Sequence, residues 1–513
     1  MRKEFLIFSI VSVVLLGILT ALWPSALWLF IPLSIIIALG MYDMFQSKKS
    51  IVRNFPILGR GRYIMEALRP KIYQYFVESD TNGTPINRVD RSVVYQRAKK
   101  VLDTTPFGTQ MDTYKEGYEW TYHSLMPKNA HNLDPHPRVL IGNEWCKHPY
   151  SCSIFNVSAM SFGSLSANAI EALNGGAKIG NFAHNTGEGG LSPYHLKHDG
   201  DLIWQIGTGY FSCRDKEGNF NEELFQENAG KHQIKMIELK LSQGAKPGHG
   251  GILPAKKVTE EIAKIRNVEI GKTVFSPPYH TAFNDFEGLL HFIQKLKNLS
   301  SGKPVGFKLC IGCKEEFHML CQEMKKMDIY PDFISIDGGE GGTGAAPLEF
   351  ANSVGMPYKD GLAFASNCLV GYDIKKHITI IAAGKIASAF DVYRTIALGA
   401  DVCYSARAMM LALGCIQALE CNKNTCPTGV ATQNKELMIG LVVKDKKVRV
   451  ANYHEQTIEA FVELIAAAGF EHSAQITRKH VYRRINMTEY KRYEDIYGKV
   501  KVGEYLYGKD DED

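Results

Sequence analysis

Short apolar runs ending in Gly, Ser or Asn recur from about Val139 onward, separated by stretches of helical periodicity. Eight stand out: FNVSAMSFG, NFAHNTGEGG, LIWQIGTGY, MIELKLSQG, VGFKLCIG, FISIDGGEGG, ITIIAAGKI and DVCYSARA. Apolar runs of this length alternating with helices predict parallel strands. Eight strand–helix units predict an α/β chain built on a (β/α)8 TIM barrel. The stretch between MIELKLSQG and VGFKLCIG, which includes FSPPYH, is too long for one simple helix. The glycines fall at the C-terminal ends of the strands, the face on which such barrels carry their sites.

The chain before the barrel has a different pattern. From Phe5 to Tyr42 there is no Asp, Glu, Lys or Arg, and Pro24 and Ser25 divide this run into two apolar pieces. Each is near the lower limit of about 17 residues for a membrane-spanning helix. Arg2 and Lys3 precede the run, and Lys48, Lys49, Arg53, Arg60 and Arg62 follow it. Positive charge at both ends predicts a transmembrane helical hairpin with both ends and the catalytic domain cytoplasmic, and Trp23 and Trp28 near the outer interface. A cleaved signal peptide is the rival, but no small-residue cleavage site lies between the two pieces.

The domain boundaries expected are a hairpin over 1–44, a lead-in segment packing on the barrel over 45–135, the barrel over 136–440, and a helical C-terminal extension with an acidic tail over 441–513. The lead-in carries helical patches (YIMEALRPKIYQYFVES), a loop around SDTNGTPINR and a hairpin-like aromatic stretch, GYEWTYHSL. After about Lys444 the chain reads as helix, then as charged and aromatic segments ending in KDDED.

Composition narrows the class. Hydrophobic residues at 45% and charged residues at 22% fit a globular chain. A net charge of +5 over 513 residues, with no recognition motif, argues against a nucleic-acid binder. Eleven cysteines, an odd and scattered set, fit a reducing compartment better than a disulfide framework.

Candidate chemistry concentrates in Ile381–Gln433. Backbone N–H groups at glycine-rich turns and helix N-termini bind phosphate. Gly338, Gly339, Gly341, Gly342, Gly384 and the turn at Ser405 and Ala406 supply such turns on the last three strands, and Arg407 adds a charge. The alternative is that these glycines serve only tight strand-to-helix turns. Cys415, Cys421 and Cys426 follow within twelve residues, a spacing that suits three thiolates on a metal cluster. Zinc favours paired CxxC spacing, which this loop lacks; inert buried cysteine is the alternative. The CIGC pair, Cys310 and Cys313, ends a strand and reads as core. In the loop 237–266, Lys246 and Arg266 form a candidate dicarboxylate site, with solvated surface charge as the rival reading.

SQGAKPGHGG, GFKLCIG, DGGEGGTGAAPLEF, AAGKI and GCIQALECNKNTCPTGVATQ closely resemble the FMN-binding synthase domain of glutamate synthases, over roughly Pro149 to Gly469. The resemblance implies a barrel that binds FMN and a 3Fe–4S cluster. It implies an oxidoreductase in which 2-oxoglutarate and ammonia condense and reduced FMN delivers a hydride to the imine, giving L-glutamate. Under it, Cys415, Cys421 and Cys426 are the cluster ligands, and Lys246, Arg266 and Glu188 hold the oxoacid, with Glu188 and Lys246 catalytic. Ser158, Ala159, Met160, Gln243 and Lys308 line the flavin, while Gly338, Gly339, Gly341, Gly342, Gly384, Ser405 and Ala406 hold its phosphate side.

The chain departs from the resemblance in two places. The family pattern has polar side chains where this chain carries Gly250 and Ile252. It also begins MRKEF, without the N-terminal nucleophilic cysteine of a glutaminase, and lacks a C-terminal β-helix. The expectation is therefore a stand-alone, membrane-anchored form using free ammonia or glutamine-derived ammonia from a partner, with an unspecified electron donor. The alternatives are an FMN and iron–sulfur enzyme for another amino or hydroxy acid, or a non-catalytic relative.

Overall fold

The computed structural model describes residues 1–101 and 104–507, so the acidic KDDED lies outside the described residues. The chain divides into two compact units, Met1–Gly83 and Thr84 onward.

In the first unit, helix α1 (Arg2–Leu22) ends where Pro24 opens a 3-10 turn, and α2 (Phe30–Phe45) follows. The two apolar stretches, 21 and 22 residues long, leave most of their side chains exposed. At 1.5 Å per residue each reaches about 30 Å, the thickness of a hydrocarbon core. A cleaved leader would pass the same test of length and composition. Asp43 near the end of α2 is fully buried and holds Arg60, at the start of α3 (Arg60–Ile72), at 2.6 Å.

In the second unit all eight expected strands form and close into one parallel barrel in chain order. They are β1 (Phe155–Val157), β2 (His184–Asn185), β3 (Leu202–Ile206), β4 (Ile234–Lys240), β5 (Val305–Cys310), β6 (Phe333–Asp337), β7 (Thr379–Ala383) and β8 (Val402–Ser405). The long segment between β4 and β5 holds a small antiparallel pair, Ile252–Leu253 with Val274–Phe275. It also holds helix α4 (Glu260–Arg266) and a second helix, Phe286–Leu299. A hairpin of Arg138–Ile141 and Tyr150–Ser153 packs Ile141, Tyr150 and Cys152 against Ala183, Ile203, Met236, Phe333, Ile381 and Val402. That apolar layer closes the N-terminal mouth of the barrel.

The aromatic GYEWTYHSL stretch is not a local hairpin. Its strand, Glu119–Thr121, pairs with Val481–Arg484, which pairs in turn with Tyr490–Arg492. Buried Glu119 anchors it by ion pairs to Lys359 and to Arg394, the latter at 2.8 Å. The expected C-terminal helix is Val443–Ala467.

Above the apolar layer the interior turns polar. Glu238 is fully buried and accepts hydrogen bonds from Asn185 Nδ2 (2.8 Å), Gln205 Nε2 (2.6 Å) and Ser335 Oγ (2.5 Å). One carboxylate on β4 thereby ties β2, β3 and β6. Replacing Glu238 by Ala leaves three buried donors without a partner, at a cost of about 3 kcal/mol. A thermal melt of Glu238→Ala is expected to show a clear loss of stability, and Glu238→Gln a smaller one.

Candidate active site

Side chains alternate along β4, so Met236, Glu238 and Lys240 share the inner face and carry it from apolar to acidic to basic. Lys240 Nζ lies 2.8 Å from Glu188 Oε2 and donates to Gln243 Oε1 at 2.7 Å. Lys246, six residues on, is 2% exposed, and its Nζ donates to Ala345 O at 3.2 Å. Burial pulls the Lys246 ammonium down to about 8, against the pull of Glu188 and with the push of Lys240.

Arg266 closes α4 and is buried over the Phe211 ring, donating through Nη2 to Phe162 O at 2.9 Å. Burial lowers its pKa to about 10, and its Nε is a buried donor with no hydrogen-bond partner. A side chain at Gly189 would begin 2.6 Å from Nη2, so the guanidinium occupies space a larger residue would fill. Burial works against the charge of Glu188, but Lys240, Lys246 and Arg266 outweigh it and hold the carboxyl below the usual carboxylate range. Three cations facing one carboxylate leave two positive charges in excess, which suits a dianionic ligand.

The neighbouring sector holds the residues expected beside a flavin. Ser158, Ala159 and Met160 leave the end of β1, and Ser158 N–H donates to Ser405 O at 2.9 Å. Lys308 on β5 is buried beside Asp337, 3.1 Å away. Burial opposes its charge, yet Asp337 and then Glu238 raise its pKa overall. Asp337 also accepts Gly244 N–H at 3.1 Å. A Cβ on Gly244 would stand 1.6 Å from Gly338 O, so the loops after β4 and β6 stack backbone on backbone.

The other glycines have distinct neighbours. Gly338 and Gly384 cede their side-chain space to Tyr358, and Gly339 to the Gly355 carbonyl. Gly341 faces Gly244 and Gly342 faces Arg407, at the rim. Ser405 Oγ donates to Ile386 O at 2.7 Å, and Ala406 caps the helix Arg407–Leu413. Lys385 follows Gly384; partial burial and the Arg407 guanidinium hold its ammonium below the usual range. Two cations repelling each other at the ends of β7 and β8 fit a phosphate group, which would relieve that repulsion.

Past that helix the three-cysteine loop begins. Burial, with Cys421 and Cys426 adding to it, raises the Cys415 thiol to about 12, so the three sense one another. Cys426 departs from this pattern. Burial pushes it up, but the Thr428 hydroxyl and the N–H groups of Ala431, Thr428 and Val430 bring it below the usual thiol range. Among the described residues no three Cys, His, Asp or Glu side chains gather around a single metal position. A polynuclear cluster sets a wider requirement, since each thiolate binds a different iron, and an all-thiol donor set with N–H groups on sulfur suits one.

The expected substrate, flavin and cluster residues lie on or just past the C-terminal halves of the barrel strands, at the end of α4 (Arg266), or in the cysteine loop. Lys240, Asp337, Lys385 and the buried Lys257 escaped the sequence reading. Period-two alternation signals the first two, as the inner-face successors of Glu238 and Ser335.

Comparison with known proteins adds a family. The conserved region of glutamate synthase matches residues 97–471. The chain is 38% identical over 493 residues to the glutamate synthase large subunit-like protein YerD of Bacillus subtilis, covering 88% of this chain and 93% of that one. It is 35% identical over 314 residues to the archaeal glutamate synthase (NADPH) of Methanocaldococcus jannaschii, covering 61% and 58%. Against the glutamate synthase (NADPH) large chain of Azospirillum brasilense it is 31% identical and spans 20% of that protein. Among solved structures, a flavocytochrome b2 variant with sulfite bound matches with 11% identity and a TM-score of 0.43, over 82% of this chain and 85% of that one. That likeness is too distant to bear on the site.

The charge balance around Glu188 makes a pH prediction. Lys246 is protonated below about 8 and neutral above it, so affinity for a small dicarboxylate should fall as pH rises through about 8. Calorimetric titration of the wild type should show that decline. Lys246→Gln should bind roughly tenfold more weakly or worse at neutral pH, with the decline removed.

Proposed function

Because the chain belongs to the glutamate synthase family, we propose that it is an oxidoreductase that reduces the imine of 2-oxoglutarate and ammonia to L-glutamate. The observation that carries this reading is the excess of two positive charges around Glu188 at the rim. Lys246 and Arg266 take the two carboxylates of the oxoacid, and the buried Arg266 Nε, which makes no hydrogen bond within the chain, supplies a further donor. Glu188, held ionised by three cations, accepts the N–H of the incoming nitrogen and sets it against the keto carbon. Lys246 Nζ, near neutrality in its proton affinity, exchanges the proton needed as the condensing oxygen leaves as water.

FMN, when bound, supplies the hydride, and an iron–sulfur cluster supplies electrons to reload it. Ser158, Ala159, Met160, Gln243 and Lys308 would line the flavin ring. Gly338, Gly339, Gly341, Gly342, Gly384, Ser405 and Ala406 would form its phosphate end, with Lys385 and Arg407 supplying charge. Cys415, Cys421 and Cys426 would hold the cluster. Ammonia comes free or from a glutaminase partner, and α1 and the apolar stretch after it anchor the chain in a membrane.

One observation favours a variant of this reading. Gly250 would place a Cβ 1.8 Å from Ser276 O, so no side chain projects there, and Ile252 is apolar. A loop without polar side chains at these positions would suit an oxoacid other than 2-oxoglutarate.

The purified chain should carry a flavin spectrum and iron, and its reduced flavin should reoxidise on adding 2-oxoglutarate with ammonia. No reoxidation at any ammonia concentration would eliminate 2-oxoglutarate as the substrate. Cys421→Ser should lose the iron while keeping bound FMN; unchanged iron content would refute the ligand assignment. The full chain should remain in the membrane fraction through alkaline extraction.

A further inference from the structure

Lys257 lies at the end of the loop that carries Lys246 and is 3% exposed. Its Nζ donates to Ser164 O at 2.9 Å and to Ala431 O at 3.0 Å. The first carbonyl belongs to the segment that leaves β1, the second to the cysteine loop. Other bonds draw the same three segments together. Gln433 Nε2 donates to Gly163 O and Leu165 O, Ser166 N–H to Val430 O, and Asn424 Nδ2 to Lys256 O.

A buried ammonium is costly unless an opposite charge stands near. Among the described residues no carboxylate pairs with Lys257, and the groups that would carry an opposite charge beside it are the sulfurs of Cys421 and Cys426. The cysteine loop has the matching deficit. Three thiolates holding a cluster would repel one another; Cys426 collects the N–H groups of Ala431, Thr428 and Val430, and Cys415 that of Gln417 at 3.4 Å. The Ala431 peptide serves both, giving its N–H to the Cys426 sulfur and its carbonyl to the Lys257 ammonium.

We infer that Lys257 is a positioning residue for electron entry: it offsets the negative charge of the cysteine loop and fastens that loop to the one that carries Lys246. This rests on the iron–sulfur reading above. Lys257 touches neither substrate nor flavin in this role. Removing its charge should leave the cluster ligands in place but make the cluster harder to reduce, since net local charge sets such potentials.

The test is a redox titration of the holoprotein followed by electron paramagnetic resonance, for wild type, Lys257→Gln and Lys257→Arg. Gln keeps a donor for the two carbonyls without the charge; Arg keeps both. Lys257→Gln should shift the cluster midpoint to more negative potential, and Lys257→Arg should stay at the wild-type value. An unchanged midpoint in Lys257→Gln with full iron content overturns the proposal and leaves the cluster reading intact. A shift of equal size in both variants also overturns it, because geometry rather than charge would then set the potential. If a variant holds its iron too weakly for the titration, the rate of iron loss to a chelator from freshly reconstituted protein replaces the midpoint: faster loss in Gln alone supports the proposal, and equal rates overturn it. A wild-type chain without iron removes the cluster reading and this proposal with it.

Discussion

The interior of the barrel depends on one carboxylate. A closed parallel barrel must fill its lumen with inward side chains, and here the filling changes character along the axis. Ala183, Ile203, Met236, Phe333, Ile381 and Val402 make a dry floor. One layer up, Glu238 accepts from Asn185, Gln205 and Ser335, so three strands close on one buried carboxyl group. The layer above it holds ammonium groups, each beside an acid. Lys308 stays charged although buried because Asp337 and Glu238 oppose the desolvation. Lys240, two residues past Glu238 on the same face, reaches Glu188.

The same logic sorts what the sequence reveals from what it hides. All eight barrel strands are legible because each ends in a small residue where chain direction changes, and because helices separate them. The rim residues follow from those ends. Lys240 and Asp337 are less visible, since a single charge in an apolar run stands out only when period two is imposed on the strand. Lys257 carries no local signal at all. Its partners are 93 and 174 residues away, and a Lys in a loop reads as solvated until the fold surrounds it. The strand Glu119–Thr121 fails for a related reason. Its aromatic alternation announces a strand, but its partner is Val481–Arg484, at the far end of the chain. Alternation fixes which face a residue takes, never which strand it meets.

Glycine shows the limit from the other side. A cluster such as DGGEGGTG reads naturally as a ligand cradle. In the fold, Gly338 and Gly384 make room for one tyrosine, Tyr358, while Gly244 lets two loops touch through their backbones. These contacts fix the loops after β4, β6 and β7 relative to one another. A phosphate proposed at the rim would therefore be met by loops whose positions the protein has already set, and the cost of ordering them would not fall on binding.

Loop rigidity also bears on what can select a substrate. The segment from Gln243 to Lys257 is pinned at its start by Gly244 on Gly338, in the middle by Gly250 against Ser276, and at its end by Lys257 on two carbonyls. Its middle offers Gly250, Gly251 and Ile252, which contribute no charge and no polar side chain. Under the proposed function, recognition of an acid in this sector would rest on Lys246, Arg266 and Glu188, a balance that counts charge more than shape. Because the ammonium that holds the end of this loop also donates to Ala431 O, the loop that carries Lys246 is tied mechanically to the cysteine loop.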